Sequence, residues 1–257
     1  MLTNSFFINN PLEQFEIIDF IYILAPIFGF TKVSLTNIGF YLILVFTLVL
    51  IMNLFANNNK KILANRWSIS TESTYGSILN MVREQVGPAN ELYVPFIFTL
   101  FSFILFSNLL GLIPYSFTAT SHLVMNLSLS TAILFGVTII GFQRHGLKFF
   151  ALFLPSGTPL ALVPLLVILE LVSYLSRVFS LGVRLTANMI GGHVLLKIIS
   201  TFMWKMIMAG PILFIVSLLS LAFLTALIGL ELAIAILQAY VFTILTCSYL
   251  KDVIDLH

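Results

Sequence analysis

Apolar runs long enough to cross a bilayer dominate this chain, and the polar breaks between them are few. No Asp, Glu, Lys or Arg lies between Lys32 and Lys60, between Glu91 and Arg144, or between Lys148 and Glu170. From Lys205 to Lys251 the only such residue is Glu231. A spanning helix needs about 20 apolar residues. The first stretch therefore predicts one span, at about residues 37–55. The second predicts two, at about 92–112 and 121–142, with Gly111, Pro114 and a Ser/Thr run marking a hairpin turn between them. Continuous runs in place of alternating strands exclude a β-barrel.

The connector NNNKKILANR, residues 57–66, is polar and basic. Residues 72–87 are too polar to span, yet Ile78, Leu79, Met81, Val82 and Val86 recur at helical spacing. This predicts an amphipathic helix on the membrane surface or against a partner. An ordinary solvated loop is the alternative.

The last hundred residues read differently. Residues 159–204 are apolar but carry Glu170, Arg177, Arg184, Asn188, His193 and Lys197, and residues 211–252 form a second long apolar stretch. Each stretch would be about 60 Å long as continuous helix, against a hydrocarbon core of about 30 Å. Either each is broken, with Gly191-Gly192 one candidate, or both lie at about 60° to the membrane normal. Such a tilt is beyond the usual range of about 0–40°, so something other than lipid must pack against them. The fold class expected is an all-α polytopic membrane protein. About five embedded helices join a surface amphipathic helix, and the last two form a long, steeply tilted hairpin.

Composition narrows the function. Of 257 residues, 60% are hydrophobic and 9% charged, where soluble domains carry about 25% charge. This excludes a soluble enzyme and a disordered regulator. A single cysteine, Cys247, excludes an internal disulfide and a multi-cysteine metal site. A net charge of +2 gives no reason to expect nucleic acid as a partner. No GxxxxGK[ST] loop is present to cradle a nucleotide phosphate, and no cofactor or metal is implied. Glu13, Glu16 and Asp19 precede the first span, whereas Lys60, Lys61 and Arg66 follow it and Arg144 and Lys148 follow the third. Basic connectors favour the inside, which puts the amino terminus outside and, after five crossings, the carboxyl terminus inside. Lys197 and Lys205 fall on the opposite side of this count.

Charges in lipid are costly, so the few present are informative. Glu170, Arg177 and Arg184 are spaced by seven, close to two helical turns, and share a face that Asn188 adjoins. Glu231, Gln238 and Asp252 share a face of the final stretch. The stretches meet at MAGP, ending at Pro211. In an antiparallel hairpin, partners have nearly constant number sums. Glu170 with Asp252 and Arg184 with Gln238 both sum to 422, and His193 with Glu231 sums to 424. One register thus predicts two ionisable clusters separated by an arginine. Carboxylates and imidazole exchange protons when their surroundings tune them, whereas arginine stays charged. The pattern points to two half-paths for protons interrupted by a fixed positive charge. His193 lies about half a turn round a straight helix from Arg184, unless Gly191-Gly192 turns it. Bland alternatives stand beside these readings: a structural Glu170–Arg177 pair, a helix-to-helix hydrogen bond for Asn108 or for His193, and a solvated end for Asp252. His122, His145 and His257 fall in connectors or at the terminus, where solvation is expected.

Three motifs carry a family resemblance. SLGVRLTANMIGGH, residues 180–193, resembles the arginine motif of subunit a of rotary ATP synthases. SNLLGLIPYSF, residues 107–117, and LELAIAILQAYVFTIL, residues 230–245, resemble its asparagine hairpin and its final helix. The resemblance covers nearly the whole chain. It implies that Arg184 faces the carboxylates of a rotating c-subunit ring, with Asn188 and Gln238 as polar partners near it, and that Asn108 of the hairpin motif belongs to the proton-translocating residues. It implies that Glu231 and His193 serve an intermembrane-space half-channel, and Glu170 and Asp252, near Arg177, a matrix half-channel. Bacterial members exchange the acid and histidine of the first pair, so this chain resembles the mitochondrial arrangement. NPLEQFE, residues 10–16, resembles the mature start of fungal mitochondrial members, which implies a cleaved leader over residues 1–10. The function implied is a non-catalytic, proton-conducting stator subunit of the inner mitochondrial membrane, with peripheral-stalk and other membrane-sector partners. A secondary transporter or a structural anchor are the alternatives. Crowding of charge into one hairpin, with no counterpart in the first half, argues against the transporter. The anchor leaves Glu231 unexplained.

Overall fold

Twenty residues without a charge, apolar on every side, suit a helix that faces lipid, and Asn37–Ala56 forms one, α1. The computed structural model describes residues 13–23, 33–56, 65–113, 116–153 and 162–254. The leader expected at residues 1–10 lies outside them. The Asn37 side chain fixes the start of α1: its Oδ1 accepts from the Ile38 N–H at 2.9 Å, and its amide donates to the Glu16 carbonyl at 2.9 Å. Ahead of α1, Asp19–Ile23 (β1) and Val33–Thr36 (β2) pair antiparallel, with the Ser34 hydroxyl donating to Asp19 at 2.8 Å. The apolar pattern predicts no strand here. Segments as short as DFIYI and VSLT give too few positions for periodicity to declare their type, and this pair departs from an all-helical chain only locally.

The amphipathic segment is a helix over Arg66–Gln85, α2, beginning six residues before the predicted start. Asn65 caps it through its side chain and its carbonyl, so the helix extends into the polar connector. Ile78, Met81, Val82 and Val86 are buried, against α3 and α6 of the same chain. After Gly87 and a short 3₁₀ turn come α3 (Val94–Gly111) and α4 (Leu123–His145), joined by a turn containing Ala119–Ser121. A 3₁₀ stretch, Gly146–Phe153, follows α4.

Two long helices complete the chain: α5, Val163–Met208, of 46 residues, and α6, Pro211–Ile254, of 44. At 1.5 Å per residue they are about 69 and 66 Å long, more than twice the hydrocarbon thickness of about 30 Å. Such helices fit a bilayer only when steeply inclined. Only Ala209 and Gly210 separate them. Gly210 adopts φ 139°, a conformation open to glycine, and Pro211 starts α6 where its missing N–H costs nothing. Helix α5 runs unbroken through Gly191-Gly192, so the chain has no break there. Among the described residues, five helices are long and apolar enough to cross a membrane.

The core gathers around the carboxyl half of α6. Phe242, Cys247, Leu250 and Val253 pack among Ile97 and Ile104 of α3, Val137 of α4, Leu181 and Leu185 of α5, and Val82 of α2. The amino half of α6 is bare by contrast, with Ile212, Ile215 and Leu219 exposed. Glycines set the closest approaches. A Cβ on Gly141 would lie 2.5 Å from the Phe149 ring and 2.6 Å from Val253, and one on Gly182 would lie 3.0 Å from Leu127. Gly141→Ala is therefore expected to cost about 1–3 kcal/mol by overpacking and to lower the amount of chain in membranes, read by immunoblot. Gly76→Ala, whose Cβ meets nothing within 4 Å, should leave that amount unchanged.

Candidate functional site

The site follows the seam between α5 and α6. Nearest the hairpin turn, Glu231 of α6 is 5% exposed. Its carboxylate approaches His193 Nε2 at 3.7 Å, a close approach beyond hydrogen-bond length. Gly192 makes the burial possible, because a Cβ there would stand 2.6 Å from Glu231 Oε1 and 2.9 Å from its Cδ. The edge of the Phe15 ring meets the His193 ring at 6.4 Å. Among the described residues no hydrogen bond reaches either Glu231 oxygen or His193 Nε2.

At mid-seam, Asn188 donates to Gln238 Oε1 at 3.1 Å, and Asn108 of α3 donates to the Ala235 carbonyl of α6 at 3.2 Å. Gln238 and Asn108 are buried, and Gln238 Nε2, Asn108 Oδ1 and Ser107 Oγ find no partner among the described residues. Arg184 is exposed, and its side chain makes a long 3.4 Å hydrogen bond to the Ser180 hydroxyl. No carboxylate among the described residues pairs with it. Exposed Phe179 and Val183 flank it.

At the far end, Arg177 Nη1 donates to Asp252 at 2.6 Å, and its guanidinium lies 5.7 Å from the centre of the Tyr249 ring. Arg177 and Asp252 are about a third and two fifths exposed. Glu170 is half-buried and forms no ion pair among the described residues.

Two expected pairings therefore change. Asp252 meets Arg177, not Glu170, and Gln238 meets Asn188, not Arg184. The reason is the direction of side chains. In a helix they lean toward its own amino end, so antiparallel neighbours lean past one another. A long arginine at position 177 delivers its charge roughly a turn earlier along α5, opposite the end of α6. The same lean carries the Glu170 carboxylate away from Asp252. Arg184 leans back to Ser180, and the shorter Asn188 takes Gln238. Because α5 is unbroken, Arg184 and His193 lie about half a turn apart, one exposed and the other against Glu231.

Asn126 of α4 went unnoticed in the sequence. It is 1% exposed and donates to the Thr120 carbonyl at 2.6 Å and to the Thr186 hydroxyl at 2.7 Å, and Thr186 donates to the Gly182 carbonyl. This ties the α3–α4 turn to α5 two residues from Arg184. A lone amide in an apolar span was its available signal. His122 is not freely solvated: it stacks on Phe117 at 5.2 Å, and partial burial holds its imidazole below the usual pKa. His145 Nε2 lies 3.1 Å from the Ile254 carbonyl. His257 is outside the described residues.

Known proteins with this sequence pattern are readily found. The family model described as ATP synthase A chain matches residues 39–251. The ATP synthase subunit a of Emericella nidulans is 52% identical over 252 residues, covering 98% of each chain. That of Chondrus crispus is 50% identical over 260 residues, covering 100% of each. That of Neurospora crassa is 50% identical over 249 residues, covering 96% of this chain and 95% of its own. With the matching region spanning most of its length, the chain belongs to the ATP synthase A chain family and is a membrane-embedded subunit of that complex.

Proposed function

We propose that this chain is the proton-conducting stator of the ATP synthase membrane sector, offering two offset half-channels to the carboxylates of a c-subunit ring. One observation carries the reading. Arg184 stands exposed at the middle of an apolar helix, without a carboxylate among the described residues, between two ionisable clusters. A guanidinium at such a place in lipid costs several kcal/mol unless an anion meets it. A carboxylate on a neighbouring chain answers that need.

In this mechanism a proton arrives through the region of Glu231 and His193. The orphaned polar atoms of Ser107, Asn108, Gln238, Glu231 and His193 line its way, since buried polar groups are normally paired or hydrated. The proton neutralises a ring carboxylate, which then turns into lipid without carrying charge. A carboxylate arriving from the other side deprotonates toward Arg177, Asp252 and Glu170. Arg184 stabilises the ionised carboxylate between the two paths and, because it keeps its proton, blocks direct leakage. Asn188 and Gln238 hold the seam beside it. Each charge crossing supplies about 2.3 kcal/mol per 100 mV, and ring rotation carries that energy to catalytic subunits elsewhere in the complex. The chain itself makes no ATP. Its place is the inner mitochondrial membrane, amino terminus toward the intermembrane space and carboxyl terminus toward the matrix, beside peripheral-stalk and other membrane-sector subunits.

Arg184→Ala is expected to abolish ATP-driven proton pumping by vesicles holding the assembled complex, followed with a pH-sensitive dye. Normal pumping would sink the proposed role. Glu231→Gln should assemble normally yet slow pumping by about tenfold or more, as loss of a proton carrier requires; an unchanged rate removes it from the path. Gly192→Ala should push the Glu231 carboxylate aside and slow pumping several-fold, about 1 kcal/mol or more of barrier. Adding Glu231→Asp, one methylene shorter, should recover part of the loss, and a double variant no faster than Gly192→Ala argues against this packing role.

A further inference from the structure

Away from the α5–α6 seam, a groove of about 290 Å³ opens between α3 and α4, floored by Leu250 of α6. Its walls include Phe96 and Leu100 on α3 and Leu129, Ile133 and Gly136 on α4. A Cβ on Gly136 would meet nothing within 4 Å, so that wall is open. The lining is apolar except at one end, where Tyr93 lies.

That end carries a cation. Arg144 Nη2 donates to Asn90 Oδ1 at 3.0 Å and to the Tyr93 hydroxyl at 3.3 Å, and the guanidinium lies 5.7 Å from the centre of the Tyr93 ring. All three contacts are neutral, so they orient the guanidinium without discharging it. No carboxylate among the described residues pairs with Arg144; the adjacent Glu91 is taken by Arg83 at 2.7 Å. Exposed Lys148 follows one turn later.

Dimensions complete the argument. From Leu129 to Ile140 the groove follows α4 for about 17 Å, close to one leaflet of a hydrocarbon core about 30 Å thick. Arg144 lies about 6 Å further along, at the depth where the hydrocarbon gives way to headgroups. We propose that this groove binds an anionic phospholipid from the surrounding membrane, one acyl chain along the α3–α4 wall and the phosphate on Arg144. Arginine suits such a site because it keeps its charge, and with Nη2 engaged by Asn90 and Tyr93 its Nη1 and Nε hydrogens remain to donate to a phosphate oxygen.

The test uses the whole complex in phosphatidylcholine vesicles containing a trace of phosphatidylglycerol with a photoreactive group at mid-chain. After illumination, adducts should concentrate on Phe96, Leu100, Leu129 and Ile133. Unlabelled phosphatidylglycerol should compete them away, whereas added phosphatidylcholine should not. Arg144→Gln should cut the yield about tenfold, the worth of one charge-assisted hydrogen bond of about 1.5 kcal/mol, and Gly136→Leu should cut it by filling the groove. The competition arm needs no variant, so it stands even if either substitution impairs assembly. Labelling spread evenly over α1 and the groove, equal competition by both lipids, or an unlabelled groove cross-linked instead to a partner's helix would each overturn the proposal.

Discussion

Charge is expensive in hydrocarbon, and that cost organises this molecule. An ionised side chain within a spanning helix must find a counter-charge, a polar partner or water. Arg177 meets the requirement inside the chain, through Asp252 and the Tyr249 ring. Arg144 meets it partly, through neutral groups at the membrane boundary. Arg184 does not meet it among the described residues. These three arginines form a series from satisfied to unsatisfied, and the unsatisfied one lies where the fold presents an open, apolar face. Lipid alone makes a poor neighbour for such a face, which is why an assembly with another chain makes physical sense of it.

The same constraint explains how much of the fold could be read in advance. The long runs around residues 37–55, 92–112 and 121–142 announce helices because their apolar character continues on every side. The long hairpin was legible from length: two charge-poor stretches too long to stand upright had to be either broken or inclined, and both are continuous helices. The β1–β2 pair was not legible, since segments of four or five residues are too short for periodicity to separate strand from helix. The early start of α2 was hidden in a connector whose composition resembles a loop, although Asn65 is a helix-capping residue type.

The candidate site was legible to the level of the register and not beyond it. The constant-sum register brings His193 and Glu231 together, and they stand 3.7 Å apart. It fails for Arg184 and Glu170 because it treats side chains as points on an axis, whereas long side chains reach a turn toward their own amino end. Gly192 was considered as a hinge and proves to be a seat for a carboxylate. A missing Cβ leaves no periodic trace, so its partner becomes visible only when two helices are brought into contact.

One consequence follows from the continuity of α5. His193 and Arg177 lie 16 residues apart on one unbroken rod, about 24 Å along its axis, with Arg184 between them. A hinge at Gly191-Gly192 would have let the two ends drift independently. On the proposed mechanism the rod acts as a gauge. It sets the offset between the point where a ring carboxylate gains a proton and the point where it loses one, so thermal motion of the stator carries both points together. On that mechanism the axial offset between the two points is a length of continuous helix and not the play of a joint.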